Sequence, residues 1–278
     1  MAAFSRKTPA QVWVVDRQQM QRRSDYLATE EPLEIRLTEP ARTIAITMRT
    51  PGADFELTAG FLLSEQIITH RADVQRLTHC RDRTLAPDHR DNIVTVTLRP
   101  GLTPNLTGLE RHFYTTSACG VCGKTSLEAL KVRCGAIADT SATVTPATLQ
   151  QLPHKLQAAQ GIFQATGGLH AAALFDLAGN LLAVYEDVGR HNALDKLLGA
   201  ALLGGQLPLD RHIVLVSGRA SFELMQKCLV ARVPIVCAVS APSSLAVAIA
   251  QEFNLTLVGF LRGERFNLYS GRDRLVPS

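Results

Sequence analysis

"HIVLVSGRASFELMQKCLVARVPIVCAVSAPSSLAVAIAQEFNLTLVGFLRG", residues 212–263, alternates short apolar runs with stretches of helical period. The runs in "HIVLVSG", "PIVCAVS" and "LTLVGFLRG" are continuously apolar, as expected of strands covered by helices on both faces. "ASFELMQKCLVAR" and "PSSLAVAIAQEF" between them read as those helices. The stretch therefore specifies a three-layer α/β domain. Working back, "NALDKLLGAALLGG" (192–205) is a helix closed by glycines. "HAAALFDLAGNLLAVYE" (170–186) gives two strands around a turn at Ala178-Gly179-Asn180. In "TPATLQQL" Thr145 is an N-cap with Pro146 at the first helical position. Thr125 and Glu128 in "TSLEALKVR" have the spacing of a capping box.

The first hundred residues follow a different grammar. "LEIRLT" (33–38) and "TIAITM" (43–48) alternate apolar and polar around Pro40 and read as paired strands. "DFELTAGFLLSEQII" (54–68) reads as a helix N-capped by Asp54. "RDRTLAPDHRDN" (81–92) is a charged loop and "NIVTVTLRP" (92–100) a further strand. The expected organisation is a mobile leader over 1–30, a small β-rich α+β domain over 31–110, and the α/β domain over 111–278.

Composition narrows the function classes. The chain has 278 residues, 46% of them hydrophobic and 5% aromatic, with a formal net charge of +4. Scattered basic residues permit an anionic ligand, and no Lys/Arg run or nucleic-acid motif is present. The N-terminus lacks the apolar core of a secretory signal, and Arg232, Pro234 and Pro242 interrupt the most apolar stretch. The expectation is a cytoplasmic protein that binds neither nucleic acid nor membrane, with its six cysteines mainly as thiols.

Two of those cysteines, Cys119 and Cys122, stand in "TTSACGVCGK" (115–124). Structural zinc wants four ligands, and no second Cys or His pair accompanies this one. Zinc deaminases add an H-x-E element, and none of His70, His79, His89 or His112 has Glu two residues on. Cys134 and a distant histidine could still complete a zinc site, and thioredoxin-like exchange, a persulfide carrier and an incidental loop pair are the other readings. The Thr125 helix start and Lys124 would acidify a thiol, and Gly120 and Gly123 would admit a donor closely. Chemistry alone leaves redox exchange and sulfur carriage unseparated.

Four further stretches carry small or basic residues just beyond expected strands: "EDVGRHNALDK" (186–196), "VSGRAS" (216–221), "VSAPSS" (239–244) and "GFLRGERFN" (259–267). Loops at strand C-termini line the ligand crevice of open α/β sheets. Helices starting at Asn192, Ser221 and Ser243 or Ser244 would aim N–H groups at phosphates there. Arg190, Arg219, Arg262 and Arg265 supply guanidiniums, with His191, Ser217 and Ser243 as further candidates. Neither a P-loop nor a Rossmann fingerprint occurs.

Seven ordered blocks, "DFELTAGFLLSEQII", "TTSACGVCGK", "TGGLHAAALFD", "EDVGRHNALDKL", "VSGRASFELMQK", "VSAPSSLAVAIA" and "GFLRGERFNLYS", resemble the motifs of the formate dehydrogenase accessory sulfurtransferases, the FdhD/NarQ family. The resemblance runs from about residue 30 to 270. It implies a cytidine-deaminase-like α/β domain without deaminase zinc chemistry. It also implies a sulfur carrier loaded by a cysteine desulfurase, which passes sulfur to the molybdenum bis(molybdopterin guanine dinucleotide) cofactor for formate dehydrogenase. On this resemblance Cys119 matches the persulfide cysteine and Cys122 its companion. Phe260, Leu261, Arg262, Gly263, Glu264 and Arg265 match the segment that contacts the cofactor. Family precedent suggests a homodimer, for which "LLGAALLGG" offers an apolar face. The rival reading is a non-catalytic chaperone for the same cofactor.

Overall fold

A computed structural model describes residues 5–106, 134–138 and 141–277. Cys119, Cys122, the Thr125–Glu128 capping box and the helix expected after it lie outside the described residues.

The chain opens with β1 (Lys7–Asp16) and β2 (Gln19–Ala28), an antiparallel hairpin in register from Lys7↔Ala28 to Asp16↔Gln19. The expected leader is thus replaced by a ribbon with its own pairing. Its stretch reads as leader because neither face lies in a core: Trp13, Val15, Met20 and Tyr26 are all exposed.

Next come β3 (Glu31–Leu37), β4 (Arg42–Arg49), helix α1 (Asp54–Ser64), β5 (Val74–His79), α2 (Pro87–Asp91) and β6 (Ile93–Leu98). They form a four-stranded sheet in the order β4-β3-β6-β5. The two strands read around Pro40 pair antiparallel as expected. The charged loop contains the short α2. Asp54 is not the cap of α1: Ala53 holds that position at φ 55°. Asp54 instead meets fully buried Arg49 through Nε–Oδ1 and Nη2–Oδ2 contacts of 3.0 Å each. An ion pair between buried partners overrides the local capping preference.

The remainder comprises α3 (Pro146–Ala159), α4 (Gly161–Thr166), β7 (His170–Asp176), β8 (Leu181–Asp187), α5 (Arg190–Leu203), β9 (His212–Val216), α6 (Phe222–Val230), β10 (Ile235–Ala238), α7 (Ser244–Glu252), β11 (Thr256–Arg262) and β12 (Arg265–Ser270). Six strands form one sheet, β12-β11-β10-β9-β7-β8. Strands β9, β10 and β11 are parallel, and β7, β8 and β12 make antiparallel pairings. Thr145 caps α3 as read, its Oγ1 accepting from the Thr148 N–H at 3.1 Å. Alternate residues of the strands enter opposite cores. Ala172, Leu174, Val214, Val216 and Val236 pack with α5, α6 and α7, whereas Ala173, Phe175, Leu215, Ile235 and Cys237 pack on Leu149, Leu152 and Leu156 of α3. Helices on both faces explain the uninterrupted apolar runs. Among the described residues no helix is long and apolar enough to cross a membrane.

The two sheets share one hydrophobic cluster, which passes from Leu33, Ile35 and Val96 through α1 and α5 to the six-stranded sheet. Helices α1 and α5 cross with their backbones nearly touching. A Cβ on Gly60 would lie 1.9 Å from the Asp195 carbonyl oxygen, and one on Gly199 1.8 Å from that of Glu56. The stretch "LLGAALLGG" is therefore largely taken up within the chain, with Leu197, Leu198, Ala201 and Leu202 buried.

Polar contacts from the "EDVGRHNALDK" segment reinforce this seam. Fully buried Asp187 accepts from the Thr50 N–H, the Gly189 N–H and Asn192 Nδ2, and its Oδ2 lies 2.6 Å from Lys196 Nζ. Lys196 also donates to the Thr50 carbonyl, and Asn192 to that of Met48. Helix α5 consequently starts at Arg190 with Gly189 as its N-cap, two residues before the expected start at Asn192.

Candidate functional site

The parallel strands end along one edge of the six-stranded sheet. Ser217 follows β9, Val239 follows β10, and β11 finishes at Arg262. Strand β7 pairs antiparallel with β9, so its first residue, His170, lies at the same edge. Between this edge and helices α3 and α4 runs a groove of about 720 Å³, whose lining includes His154, Phe163, His170, Ser217, Arg262 and Gly263. A second cavity of about 650 Å³ shares His154, Gln157, Phe163 and Gly167 with it and reaches Asp25 of the hairpin. Such a crevice outside the carboxyl ends of parallel strands is where open α/β sheets take ligands.

The arginine segment is strand and tight turn: β11 runs to Arg262, within the strand read in "LTLVGFLRG", and β12, which sequence reading did not expect, begins at Arg265. Phe260 stands at φ 52° within an irregular stretch of β11–β12 pairing, 42% exposed, its N–H donating to the Ser240 carbonyl. A positive φ is uncommon for an aromatic residue and re-aims the strand locally. Leu261 then points inward and is fully buried. Arg262 donates from Nε to the Val239 carbonyl at 3.0 Å, which fixes its guanidinium at the groove. Gly263 turns at φ 53° with nothing among the described residues within 4 Å of where a Cβ would be, so its backbone can be approached closely. The carbonyl of Glu264 accepts from Gln150 Nε2 of α3. Arg265 opens β12 directly across from Arg262. Like charges in opposed register disfavour each other until an anion joins them.

On the other side of the edge, α5, α6 and α7 begin. Ser243 caps α7, its Oγ accepting from the Ala246 N–H at 3.2 Å. Ser217 Oγ accepts from the Ala171 N–H at 2.9 Å and extends the β7–β9 pairing. Both hydroxyls thus have structural work that sequence reading did not assign, although each keeps a hydrogen to donate. By contrast α5 and α6 have no side-chain cap, and they carry Arg190 and His191 at the start of one and Arg219 just before the other. Arg219 is exposed. His191 Nε2 lies 2.7 Å from Glu223 Oε2 and 3.4 Å from Ser221 Oγ. The hydrogen bond from His191 holds the Glu223 carboxyl below its ordinary range against the opposing effect of burial. Carboxylate and hydroxyl meet the same ring nitrogen, so this is not a Ser–His–acid relay, which needs them on opposite nitrogens.

The structure therefore gathers Ser217, Leu261, Arg262 and Gly263 around one groove and sets Arg190, His191 and Arg219 on the helix side of the same edge. His170 went unassigned in sequence, although "TGGLHAAALFD" offered a signal: a histidine between paired glycines and an apolar strand. Burial pushes its pKa down, helped by the positive charges of Arg190 and His191 and opposed by Asp187.

Comparison with known proteins places these features in a family. The FdhD/NarQ family model matches residues 28–276. A protein named sulfur carrier protein FdhD in Streptomyces coelicolor is 54% identical over 257 residues, covering 91% of this chain and 90% of its own. Its namesake in Mycobacterium tuberculosis is 50% identical over 260 residues, covering 91% and 93%. That of Sulfurisphaera tokodaii is 43% identical over 254 residues, covering 91% and 92%. A crystal structure from Desulfotalea psychrophila, assigned as a formate dehydrogenase accessory protein, superposes with a TM-score of 0.76 at 24% identity. It covers 98% of this chain and 100% of its own, and so shares the fold.

Proposed function

The chain belongs to the FdhD/NarQ family, and from that footing we propose that it is a sulfur carrier. Cys119 accepts sulfane sulfur from a cysteine desulfurase as a persulfide and passes it to the molybdenum bis(molybdopterin guanine dinucleotide) cofactor destined for formate dehydrogenase. The cofactor is substrate here, not a resident group. The names of relatives that match over nine-tenths of the chain support carriage. The observation that carries cofactor recognition is the Arg262–Gly263 turn lining the groove, with Arg265 across from Arg262 in the β11–β12 register. Two guanidiniums flanking an accessible backbone suit a pyrophosphate, and the two adjoining cavities leave room for an extended ligand.

The chemistry is covalent catalysis by a thiolate. Attack of the Cys119 thiolate on the donor's outer sulfur forms the Cys119 persulfide and frees the donor thiolate. Attack of the Cys122 thiolate on Cys119 Sγ then forms the Cys119–Cys122 disulfide. It expels the outer sulfur as hydrosulfide, the two thiolates supplying the electron pair that reduces it. In this reading the α/β part is cytidine-deaminase-like without zinc, and the protein acts in the cytoplasm. The homodimer of this proposal uses the apolar face of the β1–β2 ribbon, where Trp13, Val15, Met20 and Tyr26 share one side and stand exposed. An isolated two-stranded ribbon is marginal without a covering partner.

Mass spectrometry after incubation with a desulfurase and cysteine tests the carrier. One added sulfur on Cys119, lost in Cys119→Ala, supports it; undiminished persulfide in that variant moves the active thiol elsewhere. The chaperone reading draws on the groove itself, whose described lining includes Ser217, Arg262 and Gly263, groups that can hold a ligand without sulfur chemistry. Full activation of formate dehydrogenase by a Cys119/Cys122 double alanine variant would favour it.

A further inference from the structure

Strand β8 ends on two adjacent carboxylates, Glu186 and Asp187, and successive residues of a strand point to opposite faces of the sheet. Tyr185 packs on the cluster that contains α5, and Val184 on the one built over α3. Asp187 shares the face of Tyr185 and joins the seam. Glu186 shares the face of Val184, across from Ala171 of β7. Its Oε2 accepts from the Ile162 N–H at 3.1 Å and its Oε1 from the Phe163 N–H at 2.8 Å. Both donors lie in the first turn of α4, whose own N-cap residue, Gln160, supplies no side-chain cap. Each carboxylate oxygen thus meets one of the N–H groups that a helix start leaves without a partner.

Helix α4 depends on this anchor. It has six residues, too few to persist as an isolated helix in water, and none of the six is buried. Gly167 closes it in the left-handed region at φ 67°, its N–H donating to the Phe163 carbonyl at 2.7 Å. Phe163, 37% exposed, nevertheless lines both the groove and the second cavity, as does Gly167. We infer that Glu186 is a positioning residue for ligand binding. By fixing the first turn of α4 it keeps Phe163 in place between the two cavities, and without it that wall is in place only part of the time. The assignment rests on the dinucleotide-cofactor reading and adds to it a residue that acts through α4. The two acids of one motif then fix helices on both sides of the sheet, α5 through Asp187 and α4 through Glu186.

GDP, which carries the guanine and a diphosphate of the proposed ligand, is the probe, titrated by calorimetry against the full chain. Apparent affinity scales with the fraction of molecules in the binding-competent arrangement. Glu186→Ala removes both acceptors and should weaken GDP about tenfold, as for a wall in place about one-tenth of the time. Glu186→Gln keeps one carbonyl acceptor and should fall between that variant and the wild type. Amide hydrogen exchange over residues 161–167 should quicken in the same order. The urea midpoint should stay at the wild-type value, because α4 contributes no residue to either core. Since Glu186 acts through α4, the double variant Glu186→Ala/Phe163→Ala should lose less than the two single losses combined. Unchanged affinity or unchanged exchange in Glu186→Ala overturns the role. So do fully additive losses in the double variant, or a fall in midpoint large enough to account for the lost binding. Wild-type binding that Glu186→Ala leaves intact removes the positioning role alone, and the dinucleotide reading stands; failure of the wild type to bind GDP removes both.

Discussion

Replacing Gly199 by alanine sets two effects of opposite sign against each other. In a helix interior alanine is favoured over glycine by about 1 kcal/mol, so on propensity alone Gly199→Ala stabilises α5. The structure argues otherwise. The new Cβ would lie 1.8 Å from the Glu56 carbonyl oxygen and 2.5 Å from the Gly60 nitrogen, both backbone atoms that cannot rotate away. Relief requires α1 and α5 to part by about 1.5 Å along a contact that joins both sheets, at the upper end of the usual overpacking cost, about 3 kcal/mol. The expected net loss is about 2 kcal/mol. Urea denaturation should show a lower midpoint with an unchanged slope. Gly60→Ala, which meets Asp195 from the other helix, should act similarly, and the double variant should lose less than the sum because one separation relieves both. A raised midpoint in either single variant would refute the backbone contact.

Three other perturbations address other parts of the chain. Burial raises the Asp73 pKa, but hydrogen bonds from the Thr69 N–H, Arg99, the His70 N–H and the Thr69 hydroxyl outweigh it and hold it at about 2. A depressed carboxylate stabilises the fold above its unfolded pKa, and that share drains away as pH falls from about 4 toward 2; Asp73→Asn should cost about 1–2 kcal/mol at neutral pH and flatten the acid limb of a stability profile. Lys196→Met leaves Asp187 buried without its cation and should cost about 3–5 kcal/mol in denaturant titration, much of it recovered by adding Asp187→Asn. Trp13→Ser on the exposed ribbon face should shift sedimentation from dimer to monomer while thermal unfolding of the remainder stays intact; an unchanged sedimentation profile rules that face out.

The doubly covered sheet was legible in sequence because its strands feed two cores and contain almost no polar interruption. The Thr145–Pro146 helix start was legible because both residues act locally. Strand β5 escaped notice for the opposite reason: at the sheet edge it buries Val74 while Gln75 and Arg76 remain exposed, so "VQRLTH" carries little apolar signal. The β1–β2 ribbon escaped because no core requires its pattern. Asp54 misled because a residue that caps well in isolation is engaged by Arg49, whose partner cannot be read from spacing. Within the site, Arg262 and Gly263 were legible as a motif, but the inward turn of Leu261 depends on a register irregularity visible only in three dimensions. His170 has no role readable from its own motif, since its neighbour Arg190 arrives from a different strand–helix connection.

The "EDVGRHNALDK" segment shows why motif and site do not coincide residue for residue. Asp187 and Lys196 bond to Thr50, just past β4, and Asn192 to the Met48 carbonyl within it, locking the first sheet to the second. Lys196 is held by Asp187 and the Thr50 carbonyl and is almost fully buried, so its charge belongs to the seam and contributes little at the groove. Arg190 and His191, between those seam residues, are carried on the first turn of the same helix toward the strand edge. Their positions therefore depend on how β4 meets α5, more than 135 residues apart in sequence. The glycine crossing behind them sets the helix depth, and the Asp187 contacts set where the helix begins. A basic corner anchored in this way stays in place when an anion arrives, which is the preorganisation that a site selecting among phosphorylated ligands requires.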